Sequence, residues 1–356
     1  MENRILINYG CNLRQMAMEL METAQIADQI GPDTPVVLKP NLVVARPADG
    51  GATTHPEIAE GVIAYLQAHN IRDITIAEGS WVGDSTKRAW QACGYSRLAQ
   101  TYNVKLLDTK GDKVVSATAQ GIKLTLCQSI ARAGYLINLP VLKGHCQTDM
   151  TCCLKNLKGC IPDSEKRRFH TMGLHKPIAA LAQALRPQLH IVDSVCGDLS
   201  FEEGGNPIES NRILLGTDPV LLDSYGAQLM GYEPDDIEYL RLAREYGVGR
   251  YVDDTTEIVE LNADNRPTVQ PLHSSAAKRL APYIDEDSAC SACYASLIFA
   301  LDKAGKAPGH KLHIGQGYKG KSLPGMGIGN CCSGCATYVK GCPPKAVDIL
   351  RFLQHT

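Results

Sequence analysis

The chain has only four Phe and two Trp among 356 residues, so Leu, Ile, Val and Ala must build its core. No apolar run approaches the roughly 20 residues that span a bilayer. The start, MENRILINYGCNLRQM, lacks the apolar centre of a signal peptide. Together these absences predict a cytoplasmic protein that does not engage a membrane. The net charge is only −2, which gives no general attraction to nucleic acid or acidic lipid. No G-x-G-x-x-G follows a predicted strand, so a dinucleotide is unsupported. There is no internal repeat.

What is present in excess is cysteine, fourteen in all. A reducing compartment leaves metal ligation as the usual reason for so many thiols. Hydrophobic residues make up 44% and charged residues 21%, an ordinary globular mixture. The length suits one large domain with a smaller one.

Short apolar runs alternate with longer amphipathic ones from residue 4 to 265. Ile5–Ile7, Val36–Leu38, Ile74–Ile76, Val104–Leu107, Leu136–Leu139 and Ile191–Val192 read as strands buried on both faces. Leu13–Ile30, Pro56–His69, Thr86–Cys93 and Pro177–Leu185 read as helices, with Pro56 and Pro177 in first-turn positions. The expected fold class is α/β, a doubly wound, largely parallel sheet over residues 1–264. Its ligand crevice should lie at the C-terminal strand ends.

Polar residues follow these strands in a distinctive way. Lys39-Pro40-Asn41 follows the second, Glu78-Gly79-Ser80 ends the third, Lys143-Gly144-His145 follows the fifth, and Asp193-Ser194 ends the sixth. Each set alone is an ordinary turn or cap. Four sets on one sheet edge predict a site. His55, before Pro56 at a helix start, joins them. The Lys39, Lys143 and Lys155 cations imply an anionic ligand. Cofactor or ligand contacts are expected from Lys39, Asn41, Glu78, Asn156 and Asp193, and acid–base work from His55, Lys143, His145 and Lys155.

The segment His145–Cys160 reads as a helix ended by Gly159 and Pro162. On that reading Cys146, Met150, Cys153, Leu154 and Leu157 form an apolar stripe, which makes Cys146, Cys153 and Cys160 core residues. His145, Asp149, Cys152 and Asn156 form a polar one, and Cys152 beside lysines is expected to have a depressed pKa. Asp218 reads as a helix cap after Gly216-Thr217, and Asp223 needs a partner if buried.

Composition changes near Asp264. Residues 265–284 read as a linker, and 285–356 as a small cysteine-rich module with a glycine-rich stretch, Gly315–Gly329. Its pattern is Cys290-x-x-Cys293, Cys331-Cys332-x-x-Cys335 and Cys342-Pro343. Four thiolates hold a cubane cluster, and proline after the last cysteine is a ferredoxin feature. Two CxxC pairs suit zinc equally well. Cys342-Pro343 favours a [4Fe–4S] cluster, because zinc leaves that cysteine spare. Cys290, Cys293, Cys331 and Cys342 are the best ligands, with Cys332 and Cys335 as substitutes.

VVLKPNLV, TTHPEIAEGVI, INLPVLKGH with LKNLKGCIP, IVDSV with EEGG, and GTDPVLLD occur in order over roughly residues 35–235. In these blocks the chain resembles the DUF362 family of uncharacterised, often iron–sulfur-linked proteins. Its glycine motif runs Glu203-Gly-Gly-Asn-Pro207 where the family usually has Glu-Gly-x-Gly-Pro. At fold level the chain also resembles the N-terminal region of nickel-dependent lactate racemases. That resemblance implies Lys143, His145 and Lys155 as contacts to a cofactor.

The expected function is an iron–sulfur redox enzyme that passes electrons to a small anionic molecule in the cleft. A redox protein partner is expected to supply them, and nothing opposes a homo-oligomer. The alternatives are a non-enzymatic electron carrier or assembly subunit, and a zinc-stabilised isomerase or ligand-binding protein.

Overall fold

A computed structural model describes residues 3–199, 202–205, 207–267, 276–305 and 308–354. Eight strands form the main sheet: β1 (Arg4–Tyr9), β2 (Val36–Pro40), β3 (Ile74–Glu78), β4 (Lys105–Asp108), β5 (Tyr135–Leu139), β6 (Leu189–Asp198), β7 (Pro207–Gly216) and β8 (Glu257–Glu260). Their spatial order is β8-β1-β7-β6-β5-β2-β3-β4. Only β7 runs antiparallel to its neighbours β1 and β6, so the sheet is largely parallel.

Side chains alternate across a strand, and here both sides are covered. Ile5, Ile7, Val37, Leu136, Val192 and Leu214 enter one core. Their neighbours Leu6, Val36, Leu38, Ile137, Ile191 and Ile213 enter the other. The first core packs on helices His175–Leu185 and Pro219–Leu229, the second on Leu13–Thr23 and Pro56–Ala68. Helix Pro219–Leu229 starts with Asp218 accepting from the backbone N–H of Val220 and Leu221, as its sequence predicts.

The segment expected as one helix over 145–160 is instead a hairpin and a short helix. Lys143–His145 pairs antiparallel with Asp149–Thr151, followed by helical turns at Cys153–Asn156 and Leu157–Cys160. Asp149 takes φ +63°, a left-handed conformation that ends any helix and that Asp tolerates. Asp223 then accepts from the N–H of Cys153 (2.7 Å) and Leu154 (3.2 Å), so the helix begins eight residues late.

Of residues 265–284, positions 268–275 lie outside the described residues, and Ala276–Leu280 is a short helix. Four parallel strands follow: β9 (Ile284–Glu286), β10 (Leu312–Ile314), β11 (Leu323–Ile328) and β12 (Cys335–Val339). Contrary to expectation a G-x-G-x-x-G, Gly315–Gly320, does follow a strand, β10, but it leads into a single turn, Gln316–Tyr318, rather than the helix that a dinucleotide site needs. The four strands share one apolar cluster with helices Ser291–Ala304 and Ala346–Gln354. The 143–151 hairpin touches this part. Gln147 donates to Glu286 (2.7 Å) and to the Ala289 carbonyl (3.1 Å), and accepts from Ser291 (2.9 Å). Among the described residues no helix is long and apolar enough to cross a membrane.

Candidate functional site

Register places three polar side chains in a row across the sheet, because Lys39 lies beside Asn138 and Asn138 beside His190. All three are fully buried. Asn138 contacts His190 Nδ1 (3.0 Å) and donates to the Cys153 carbonyl (3.0 Å), while Asn156 donates to Asn138 (2.8 Å). Lys39 Nζ donates to Asn156 (3.2 Å) and forms an ion pair with Glu78. A buried ammonium needs such a partner. Gly159 closes over this pair. A Cβ there would stand 2.5 Å from Lys39 Nζ and 2.7 Å from a Glu78 oxygen.

A second network converges on Glu202. Lys155 Nζ lies 2.6 Å from its Oε1, and His145 Nε2 lies 3.0 Å from its Oε2. Lys143 Nζ donates to the Glu202 carbonyl (2.8 Å) and to that of Ala52 (2.6 Å). Burial opposes ionisation of Glu202, yet Lys155 and His145 hold its carboxyl well below the usual range. Burial pushes Lys143 down to about 7, and burial with Lys155 pushes His145 down to about 4. His145 Nδ1 faces the backbone N–H of Gln147 and Thr148, so it accepts and the proton sits on Nε2.

His55 belongs to a third group. Asp193 accepts from both its backbone N–H and its ring Nδ1, each at 2.8 Å. Burial works against a charge there, but Asp193, and after it Cys196, raise the imidazole to about 10.

Between the main sheet and the C-terminal part lies a cavity of about 260 Å³. Of the sequence-expected residues, Asn41, Glu78, Lys155 and Asn156 border it, and so do Cys290, Cys293 and Cys342. Lys39 sits behind Glu78, His145 behind Glu202, and Lys143 and His55 do not line it. Glu202, which the sequence offers as either a turn residue or a loop carboxylate, also borders it, whereas sequence reasoning missed Trp81, Lys158, Lys166, Arg167 and His170 on its wall. Four of these five are basic side chains within residues 158–170, a density that was the available signal.

The cysteines divide into groups. Cys290 feels Cys331 and Cys342, and Cys293 feels Cys290, Cys342, Cys331 and Cys332. Cys335 pairs with Cys332 instead, at the start of β12. Gly327 crowds that pair, since a Cβ there would lie 2.9 Å from the Cys335 sulfur. Cys290 caps helix Ser291–Ala304 and Cys293 lies in its first turn, where backbone N–H groups are free to meet sulfur.

Elsewhere, Cys152, Cys153 and Asp223 bring three donor atoms within 4.8 Å of one another, the only such group among the described residues. Cys152 does not have the depressed pKa its lysine neighbours suggested. Burial pushes its thiol up to about 11, because it faces Cys153 and Asp223 in the core. Cys153 and Cys160 are core residues as expected, whereas Cys146 packs against the C-terminal cluster.

The family described as "Domain of unknown function (DUF362)" matches residues 36–228. A thylakoid-associated protein from Synechocystis sp. is 25% identical over 235 residues, which is 62% of this chain and 70% of the relative. Among solved structures, the lactate racemase apoprotein from Thermoanaerobacterium thermosaccharolyticum matches 52% of this chain and 50% of its own, at 11% identity and TM-score 0.37. A protein from Thermotoga maritima matches 67% and 60%, at 14% identity and TM-score 0.39.

Proposed function

We propose that this chain, which belongs to the DUF362 family, is an iron–sulfur redox enzyme whose electrons reach a small anionic molecule in the cavity. One observation carries the reading. Cys290, Cys293 and Cys342 border the same cavity as Lys155, Asn156 and Glu78, although some 130 residues separate the two sets.

Cys290, Cys293, Cys331 and Cys342 would hold the cluster. One feature of the chain supports a cluster rather than zinc. A tetrahedral zinc ion with Zn–S near 2.3 Å draws its sulfurs to about 3.8 Å of each other, and no three C-terminal thiols stand within 4.8 Å. A cubane spreads its four thiolates over four irons. A bound cluster supplies electrons one at a time. The chain's own residues do the rest: Lys155 holds Glu202 ionised, Lys39 forms an ion pair with Glu78, and Arg167 brings positive charge to the wall.

Anaerobically purified protein should be brown and contain about four irons per chain, and Cys342→Ala should remove both. A colourless protein with one zinc per chain overturns the reading. The exposed position of Cys342 also favours a second reading, a carrier that passes electrons to another protein. Lys155→Gln separates the two, because a carrier keeps reducing its partner without that lysine.

A further inference from the structure

The buried cations around the cavity are matched: Lys39 by Glu78, Lys155 by Glu202, and Lys166 by Asp163. Lys158, half-buried, and Arg167, exposed at the cavity mouth, are not. Among the described residues neither has an acidic side chain within ion-pair distance, and the polar neighbour of Lys158 is His170 Nε2, 3.5 Å away. Arg167 and His170 are three residues apart on helix Asp163–Thr171, so they share the face that meets Lys158. Two buried polar atoms on this wall also lack partners, Trp81 Nε1 and His170 Nδ1. Both atoms are available to hydrogen-bond a bound ligand. The wall also carries apolar surface, from Val43, Val82, Ala292, Pro343 and the Trp81 ring, beside polar Asn41, Thr151, Asn156 and Ser291.

We infer that the cavity binds a compact organic carboxylate, its charged head on Lys158 and Arg167 and its apolar body against Trp81 and Pro343. The inference rests on the reading of this cavity as the substrate site. A guanidinium fork with an ammonium recognises carboxylate or phosphate, and the apolar wall selects an anion with a hydrocarbon body. The volume, about 260 Å³, falls below the range of drug-sized ligands, roughly 300–1,000 Å³, and so suits a compact one. Burial and the neighbouring Lys155 push Lys158 down to about 7, so a bound anion also restores its proton.

The test titrates the full chain, purified anaerobically, with phenylacetate, acetate and inorganic phosphate, followed by calorimetry and Trp fluorescence. Phenylacetate should bind saturably, at least tenfold tighter than acetate or phosphate. Lys158→Gln should weaken it at least tenfold, and Lys158→Arg should recover most of the loss. Arg167→Gln, at the exposed mouth, gives a second variant if Lys158→Gln does not fold, and should weaken binding at least threefold. Three outcomes overturn the inference: phosphate binding as tightly as phenylacetate, no saturable binding of any probe, or unchanged affinity in these variants. Iron measured on the same sample keeps the two ideas apart. Iron without carboxylate binding removes this inference alone, and carboxylate binding without iron removes the redox reading alone.

Discussion

The main sheet and the C-terminal sheet meet the burial problem with unequal means. In the first, Leu38 and Leu214 enter two separate cores on opposite faces, each roofed by helices. The second has one cluster, built around Leu297, Ile298, Ile314 and Ile349, and the outer face of β12 leaves Tyr338 exposed. A small single core supplies little net stability. It carries six thiols and docks on the 143–151 hairpin through Gln147. The large part is a scaffold stable by burial; on the reading proposed above, the small part draws its remaining support from the group its thiols hold.

The largest effect should follow from removing that support. If the C-terminal cysteines hold a cluster, anaerobic chelation should strip amide protection from Leu312–Ile314 and Leu323–Ile328 by orders of magnitude. Val36–Pro40 should keep its protection. Hydrogen exchange read by mass spectrometry checks this, and equal protection with and without iron breaks the comparison.

Next comes the core of the scaffold. Leu38 is fully buried between strand and helix, and Leu38→Ala should cost about 3 kcal/mol. Chemical denaturation should show the loss in the main transition, with the C-terminal part following because its docking surface unfolds with it. A loss confined to the C-terminal signals contradicts the assignment of roles.

Gly159→Ala should cost somewhat less, about 2 kcal/mol, within the range for overpacking. Its methyl meets both partners of the Lys39–Glu78 pair, at distances that no real Cβ contact shows. Neither partner can retreat without leaving a charge unmatched. Unchanged stability in that variant means the pair yields more easily than the buried geometry implies.

The sequence made one region far more legible than the other. Five of the six expected strands were readable because burial on both faces leaves an unbroken apolar run; the other, β4, is an edge strand that is half-buried at most, and Lys105 interrupts its apolar run. Strand β7, PIESNRILLG, escaped because its first half is polar and only its second half is buried. The helix expected over 145–160 failed because apolar spacing in a short segment fits a hairpin as well, and the φ of Asp149 decides between them. In the site, Asn41, Glu78, Lys155 and Asn156 could be found because they follow strands or repeat along one segment. Lys166, Arg167 and His170 were not found, since the charge-rich DSEKRRFHT has the composition of a solvated helix. It is covered by loop 79–84, by Lys123 and Thr125, and by residues 290–293, all remote in the sequence.

The smallest effect concerns His55, and its pH dependence tests whether the scaffold's polar edge is structural. In the folded chain the imidazole titrates near 10, above the ordinary 6.5, because Asp193 favours its charged form. The folded state therefore binds more protons than the unfolded state between those two values. Its contribution is complete below pH 6.5 and fades as the pH rises through 10. His55→Gln should cost about 1–2 kcal/mol at pH 6, the size of a hydrogen bond to a charged group discounted for partial exposure. The difference should shrink toward zero by pH 10. Lys143 slopes the other way, since burial lowers its pKa to about 7 and stability rises as the unfolded lysine deprotonates later. That slope is present in both proteins and cancels when wild type and variant are compared at each pH. Urea midpoints at five or six pH values are enough to read the trend. A difference that stays constant from pH 6 to 10 means that His55 is neutral in the fold and that Asp193 holds it by hydrogen bonding alone.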